Sequence, residues 1–173
     1  TIMDYYQKMD AILGQTQMQI DDKTTLLVLS DHGFDSFDYE INLNTFLYQN
    51  GYLALKEGKS QSKALYENVD WTKTKAYSAG YNGIFLNLKG REKEGIVEES
   101  EVENLQKEIA QKLLEFKNPE NDQNLVKKVY TSKELGVDSS DSSSPDLFVG
   151  FYKGARASWD NAVGAVGPDA LRE

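Results

Sequence analysis

A chain of 173 residues, 39% of them hydrophobic, is long enough to bury a core, which sets aside disordered and fibrous classes. Nineteen Lys and Arg against 28 Asp and Glu give a net charge of -9, so nonspecific binding to a nucleic-acid backbone is not expected, although bound cations can reverse the local field for a small phosphate ligand. The absence of cysteine excludes disulfides and thiolate metal sites, and the single histidine limits imidazole ligands to one.

Residues 2 to 20 carry Ile2, Tyr5, Tyr6, Met9, Ile12, Leu13 and Thr16, a spacing that predicts a helix with one face toward a core. Asp21-Asp22-Lys23 breaks it. Thr24 to Ser30 is a continuous apolar run of strand length, and a run without alternation predicts a strand covered on both faces, as in a parallel sheet. Beyond Gly33 a polar stretch leads to a short predicted helix over 42–50, stopped by Gly51. Tyr52 to Leu55 is expected to be extended, and Lys56 to Asp70 to be a polar surface excursion. Strands are predicted at Lys75-Ala76-Tyr77 and Ile84 to Leu88. Ser100 and Glu103 have capping-box spacing and predict the start of a helix with Val102, Leu105, Ile109 and Leu113 on one face. Leu125 to Tyr130 and Asp146 to Phe151 complete the predicted strands, joined by a flexible Ser/Asp-rich link at Ser139 to Ser144. The fold class expected is α/β, with a mixed, mainly parallel sheet flanked by helices. No apolar run reaches the length of a membrane helix, and the sequence leaves the compartment open.

The chemistry concentrates at Asp31 and His32, at the carboxyl end of the predicted strand, where open α/β sheets bind ligands. Carboxylate and imidazole are both good ligands for zinc and similar ions. Adjacent strand residues point to opposite faces, so both can reach one ion only if extended geometry ends after Ser30, a turn that Gly33 makes easy. Against this stands the ordinary role of such residues, which is to accept backbone hydrogen bonds in a turn.

Ser30-Asp31-His32-Gly33-Phe34 after an apolar strand is similar to the Asp-His-Gly motif of the alkaline phosphatase superfamily, and resembles most its bacterial type I phosphodiesterase/nucleotide pyrophosphatase group. The likeness continues in Asn42-Leu43-Asn44-Thr45-Phe46-Leu47, Asn50-Gly51-Tyr52-Leu53, Trp71 to Tyr77, Asn82 to Glu92, Pro145-Asp146-Leu147 and Ser158-Trp159-Asp160. It departs at Gly154-Ala155-Arg156, where an aromatic residue commonly separates Gly from Arg.

The resemblance implies an alkaline-phosphatase-like fold and hydrolysis of phosphodiester or nucleotide pyrophosphate bonds by two-metal catalysis. The cofactors implied are two divalent ions, zinc or manganese, with Asp31 and His32 as ligands of the ion that contacts a Thr or Ser nucleophile. The nucleophile and the other ligands are expected outside the chain, so residues 1–173 are expected to be a single incomplete domain, the C-terminal part of a catalytic domain, nearly inactive alone. The partner expected is a small phosphate-ester or nucleotide substrate. The alternatives are a phosphomonoesterase or phosphomutase of the same superfamily, or a non-catalytic α/β binding module. Asp35, Asp38 and Glu40 are expected to be solvated loop charges. Lys89, Arg91 and Lys93 are read as a solvated turn before an anion contact, Tyr81-Asn82 as a hairpin turn before a pocket wall, and Trp159 as core before a wall it would share with Arg156.

Overall fold

A computed structural model describes residues 1–137 and 143–173. The predicted link at Ser139 to Ser144 falls outside the described residues over 139–142. The chain divides into two compact units, Thr1–Asp35 and Ser36–Glu173.

The first unit is built on helix α1, Ile2–Gln17, close to the predicted span. Thr1 and Asp4 close a capping box at its start. Its predicted core face is not buried: Ile2, Tyr5, Tyr6, Met9 and Ile12 are all exposed, and Leu13 and Thr16 are half-buried. The helix ends in a turn where Asp21 Oδ1 accepts from Thr24 Oγ1 at 2.7 Å and from Lys23 N at 3.2 Å. The expected strand over 24–30 does not form, and Leu27 and Leu29 are 75% and 86% exposed. A strand satisfies its peptide groups only through a neighbour, and among the described residues of this unit none is a strand. Apolar composition alone therefore did not make one.

In the second unit, strand β1 (Phe37–Ile41) precedes helix α2 (Leu43–Gln49). Asn42 caps α2, its side-chain oxygen accepting from Thr45 N at 3.0 Å, and Gly51 follows at φ +78°, so the predicted stop holds. Strands β2 (Ala76–Ala79) and β3 (Gly83–Leu86) form the next hairpin, and helix α3 spans Val102–Leu114. Strands β4 (Val126–Thr131), β5 (Leu147–Phe151) and β6 (Gly154–Ala157), helix α4 (Trp159–Ala162) and strand β7 (Leu171–Arg172) complete the unit.

These strands make two sheets, ordered β6-β1-β7 and β2-β3-β5-β4. Only β1 with β6 runs parallel among the named strands; every pair in the four-stranded sheet is antiparallel. The class is α/β with mixed pairing, as expected, but the pairing is mainly antiparallel. Only β2 and β3 are joined by a tight hairpin; β3 with β5 and β1 with β7 pair antiparallel across long stretches of chain. Tyr52 to Leu55 contributes a single bridge, Leu55 to Val69. The capping box near α3 belongs to Glu98 and Glu101, ahead of the predicted Ser100 and Glu103, because one turn of tighter helix precedes the α-helical part. Leu105, Ile109 and Leu113 of α3 pack into a core that also holds Ile41, Leu43, Ile84, Leu86, Leu147 and Val149.

Candidate functional site

Ser30 to Gly33 form a compact turn. Ser30 Oγ donates to His32 O at 2.6 Å, and His32 N donates to Asp31 Oδ1 at 3.0 Å. Extended geometry thus ends after Ser30, the condition for neighbouring side chains to face one way. Asp31 Oδ2 and His32 Nε2 lie 3.3 Å apart, so the structure brings the two predicted residues together. They stand at the end of an irregular exposed segment and not of a buried strand.

The imidazole orientation has a cause. Nδ1 lies 2.9 Å from Gly33 O, which as a carbonyl only accepts, while Nε2 faces Asp31 Oδ2. Holding one ring N–H on a backbone carbonyl is also the usual way a liganding histidine is oriented. Phe34 meets the ring edge-on at 5.4 Å between centroids.

The donor pair fits zinc or manganese as part of a shell: one oxygen and one nitrogen, both accessible, with Asp31 85% and His32 65% exposed. No group of three or more His, Cys, Asp or Glu that could hold a metal ion gathers among the described residues.

Other sequence expectations need correction. Glu40 is not a solvated loop charge; it sits in β1 and pairs with Arg156 across the parallel register of β1 and β6. Arg91 is no solvated turn residue, being 14% exposed and bonded to Asp146, Glu92 and Leu86 O. Lys89 pairs with Glu98, and Lys93 is exposed. Tyr81-Asn82 lies in the β2–β3 hairpin as expected, with Asn82 Nδ2 near Val149 O at 3.4 Å. Trp159 is 60% exposed and therefore not core, because it opens α4 at the surface and meets Tyr81 and Arg156.

Sequence reading missed a buried polar node. Asn161, fully buried, donates from Nδ2 to Ser78 Oγ at 3.0 Å and Gly80 O at 2.9 Å, and accepts from Asn44 N at 3.1 Å. Asn44 in turn exchanges two bonds of 2.8 Å with the Ser78 backbone. No periodicity marks such residues; the only hint is Asn where an apolar residue would fit.

The family model for type I phosphodiesterase / nucleotide pyrophosphatase matches residues 1–154. The chain belongs to that family. No curated protein and no solved structure matches it. Family membership points to phosphoester hydrolysis and to small phosphoester substrates. The match includes the Asp31-His32 turn and ends at Gly154, the first residue of β6. No helix among the described residues is long and apolar enough to cross a membrane.

Proposed function

We propose that the chain is part of a hydrolase that opens phosphodiester or nucleotide pyrophosphate bonds, and that Asp31 and His32 hold one of two divalent ions, zinc or manganese. The observation that carries this is the convergence of Asp31 Oδ2 and His32 Nε2 to 3.3 Å inside a sequence matched to a phosphodiesterase family. When bound, such ions polarise phosphoryl oxygens and activate an attacking hydroxyl or water. Asp31 supplies a charged oxygen, and His32 supplies Nε2, with Nδ1 turned to Gly33 O. Ser30 Oγ ties down the His32 carbonyl and keeps the turn closed.

A catalytic zinc takes about three protein ligands, so two ions want about six, whereas this sequence offers one His and no Cys. We infer, from the family resemblance, that the nucleophile and the remaining ligands come from sequence outside these 173 residues, within an alkaline-phosphatase-like catalytic domain. The chain alone is then expected to turn over little or nothing.

The test is hydrolysis of bis-p-nitrophenyl phosphate by full-length protein. Asp31→Ala and His32→Ala should each lower the rate at least about a hundredfold, beyond the 10–100-fold loss typical of groups that only support a metal ligand. Unchanged turnover in both variants would remove them from the metal site. A rate with p-nitrophenyl phosphate far above that with the diester would favour a monoesterase instead.

A further inference from the structure

Thr24 to Ser30 contains only Thr, Leu, Val and Ser, with no charge, glycine or proline, and each of these residues is exposed. Residues 25–30 make no backbone–backbone hydrogen bond with any described residue. Bare peptide groups on a run of about six or seven such residues are a template for pairing with another strand.

The flanks of the run specify the partner. Lys23 precedes it and Asp31 follows it, so the run meets its own complement when a second copy lies antiparallel. In a pair centred on Leu27, Lys23 stands across from Asp31 and Asp22 across from His32. Thr24 then faces Ser30, Thr25 faces Leu29, Leu26 faces Val28, and Leu27 faces itself on the two-fold axis. Opposite charges, hydroxyl pairs and apolar pairs directly across from one another are the contacts that stabilise an antiparallel ladder.

Other arrangements lose these contacts. A one-residue slip in one direction sets Asp22 against Asp31, and in the other it leaves Asp31 facing Thr24. Parallel pairing in register sets Asp21, Asp22, Lys23 and Asp31 each against its own copy. Like charges across a ladder destabilise it, and the net charge of -9 already opposes contact between copies. Charge therefore selects both direction and register. A two-stranded ribbon alone is marginal in water, but the same unit carries further bare apolar surface in Ile2, Tyr5, Tyr6, Met9 and Ile12 of α1.

We propose that Thr24 to Ser30 is a self-recognition strand, through which two copies of this chain pair antiparallel about Leu27 in a two-fold dimer. Nothing in the pairing depends on the hydrolase reading.

Sedimentation equilibrium of the 173-residue chain should show reversible monomer–dimer exchange. Lys23→Asp should weaken the dimer at least about tenfold, because attractive pairs become repulsive on both sides of the axis. Adding Asp31→Lys to that variant should restore it, since the opposite charges are then exchanged and not lost. Leu27→Lys, which sets like charges on the axis, should leave monomer. These positions are exposed, so the variants are expected to fold. The protein has no cysteine, so introduced thiols read the register: under an added oxidant Leu27→Cys chains should crosslink to themselves, and Thr24→Cys chains only to Ser30→Cys chains. Amides of residues 25–29 should gain protection from hydrogen exchange as protein concentration rises.

Monomer up to millimolar protein, a dimer indifferent to both Lys23→Asp and Leu27→Lys, or self-crosslinking of Thr24→Cys in place of Leu27→Cys would overturn the proposal. Amide protection that is equal at every concentration would assign the strand's partner to the same chain and overturn it too. Assembly that grows past a dimer without limit would do the same.

Discussion

Arg91 closes a fork on Asp146, its Nη1 and Nη2 lying 3.0 and 2.7 Å from the two carboxylate oxygens. The same two residues clasp Leu86: Arg91 Nη2 donates to its carbonyl at 2.6 Å, and Asp146 Oδ2 accepts from its N–H at 2.6 Å. The pair thereby ties the end of β3 to the residue just before β5. Both side chains are close to buried, at 14% and 12% exposure. Removing Asp146 leaves the Arg91 charge with Glu92 as its one remaining carboxylate partner among the described residues and leaves the Leu86 N–H unpaired. Asp146→Ala is therefore expected to destabilise by about 3 kcal/mol, the low edge of the range for a broken buried pair. Urea unfolding measures it. Arg91→Met combined with Asp146→Leu should lose less than Asp146→Ala alone, since the guanidinium facing Asp146 is removed with it.

The Asn161 node makes a second prediction. Its amide serves Ser78, Gly80 and Asn44 at once. Asn161→Ala leaves several buried polar groups unpaired, at about 1–3 kcal/mol each. A loss of at least about 2 kcal/mol in chemical unfolding is expected. A loss within experimental scatter of zero would mean that water replaces the amide at no cost.

The tyrosines set an alkaline limit. Burial pushes the Tyr66 phenol from 10.0 up to about 12, and its hydroxyl donates to Ser78 O at 2.7 Å. Burial also raises Tyr52, helped by the Glu108 carboxylate, and Tyr77, helped by Glu92. A folded-state pKa above the unfolded value means that the unfolded chain releases its proton first. The stability from these phenols is thus complete below pH 10 and is lost as pH rises through the folded values, for Tyr66 between 10 and about 12. Urea midpoints should fall across that window. Tyr66→Phe should flatten its part of the slope.

Much of the fold was legible because periodicity and punctuation coincide. Helices α1, α2 and α3 follow apolar spacing, with Gly51 marking a stop that only a residue tolerant of positive φ makes cheap. The β2–β3 hairpin and strands β4 and β5 fall where β-branched and aromatic residues cluster. Strand β1 was missed, although Phe37, Tyr39 and Ile41 alternate with Asp38 and Glu40, because the two acids made the stretch look like loop. Strand β6 was missed because Gly154 and Ala155 carry no strand signal; its parallel pairing with β1 is a tertiary fact. Thr24 to Ser30 failed in the opposite direction, since apolar content predicts burial only when a neighbour exists to provide it. At the site, Asp31 and His32 could be named from sequence, but their convergence could not, since it depends on the turn bonds made by Ser30 and Gly33.

That convergence separates a ligand role from a structural one. Asp31 and His32 are exposed and bonded within their own turn, and Phe34 packs against the His32 ring. Substituting either should change folding stability by no more than about 0.5 kcal/mol, as for surface positions generally. If the pair ligates a cation, the same substitutions should abolish whatever zinc or manganese binding the 173-residue chain shows in calorimetric titration. Binding should also weaken as pH falls, because protons compete with the metal for both donors. Phe34→Ala, which removes only the ring packed on His32, should keep most of the binding. Metal affinity that survives both Asp31→Ala and His32→Ala would assign the ion to other oxygens, and a stability loss of several kcal/mol in either variant would make the turn itself the reason for these residues.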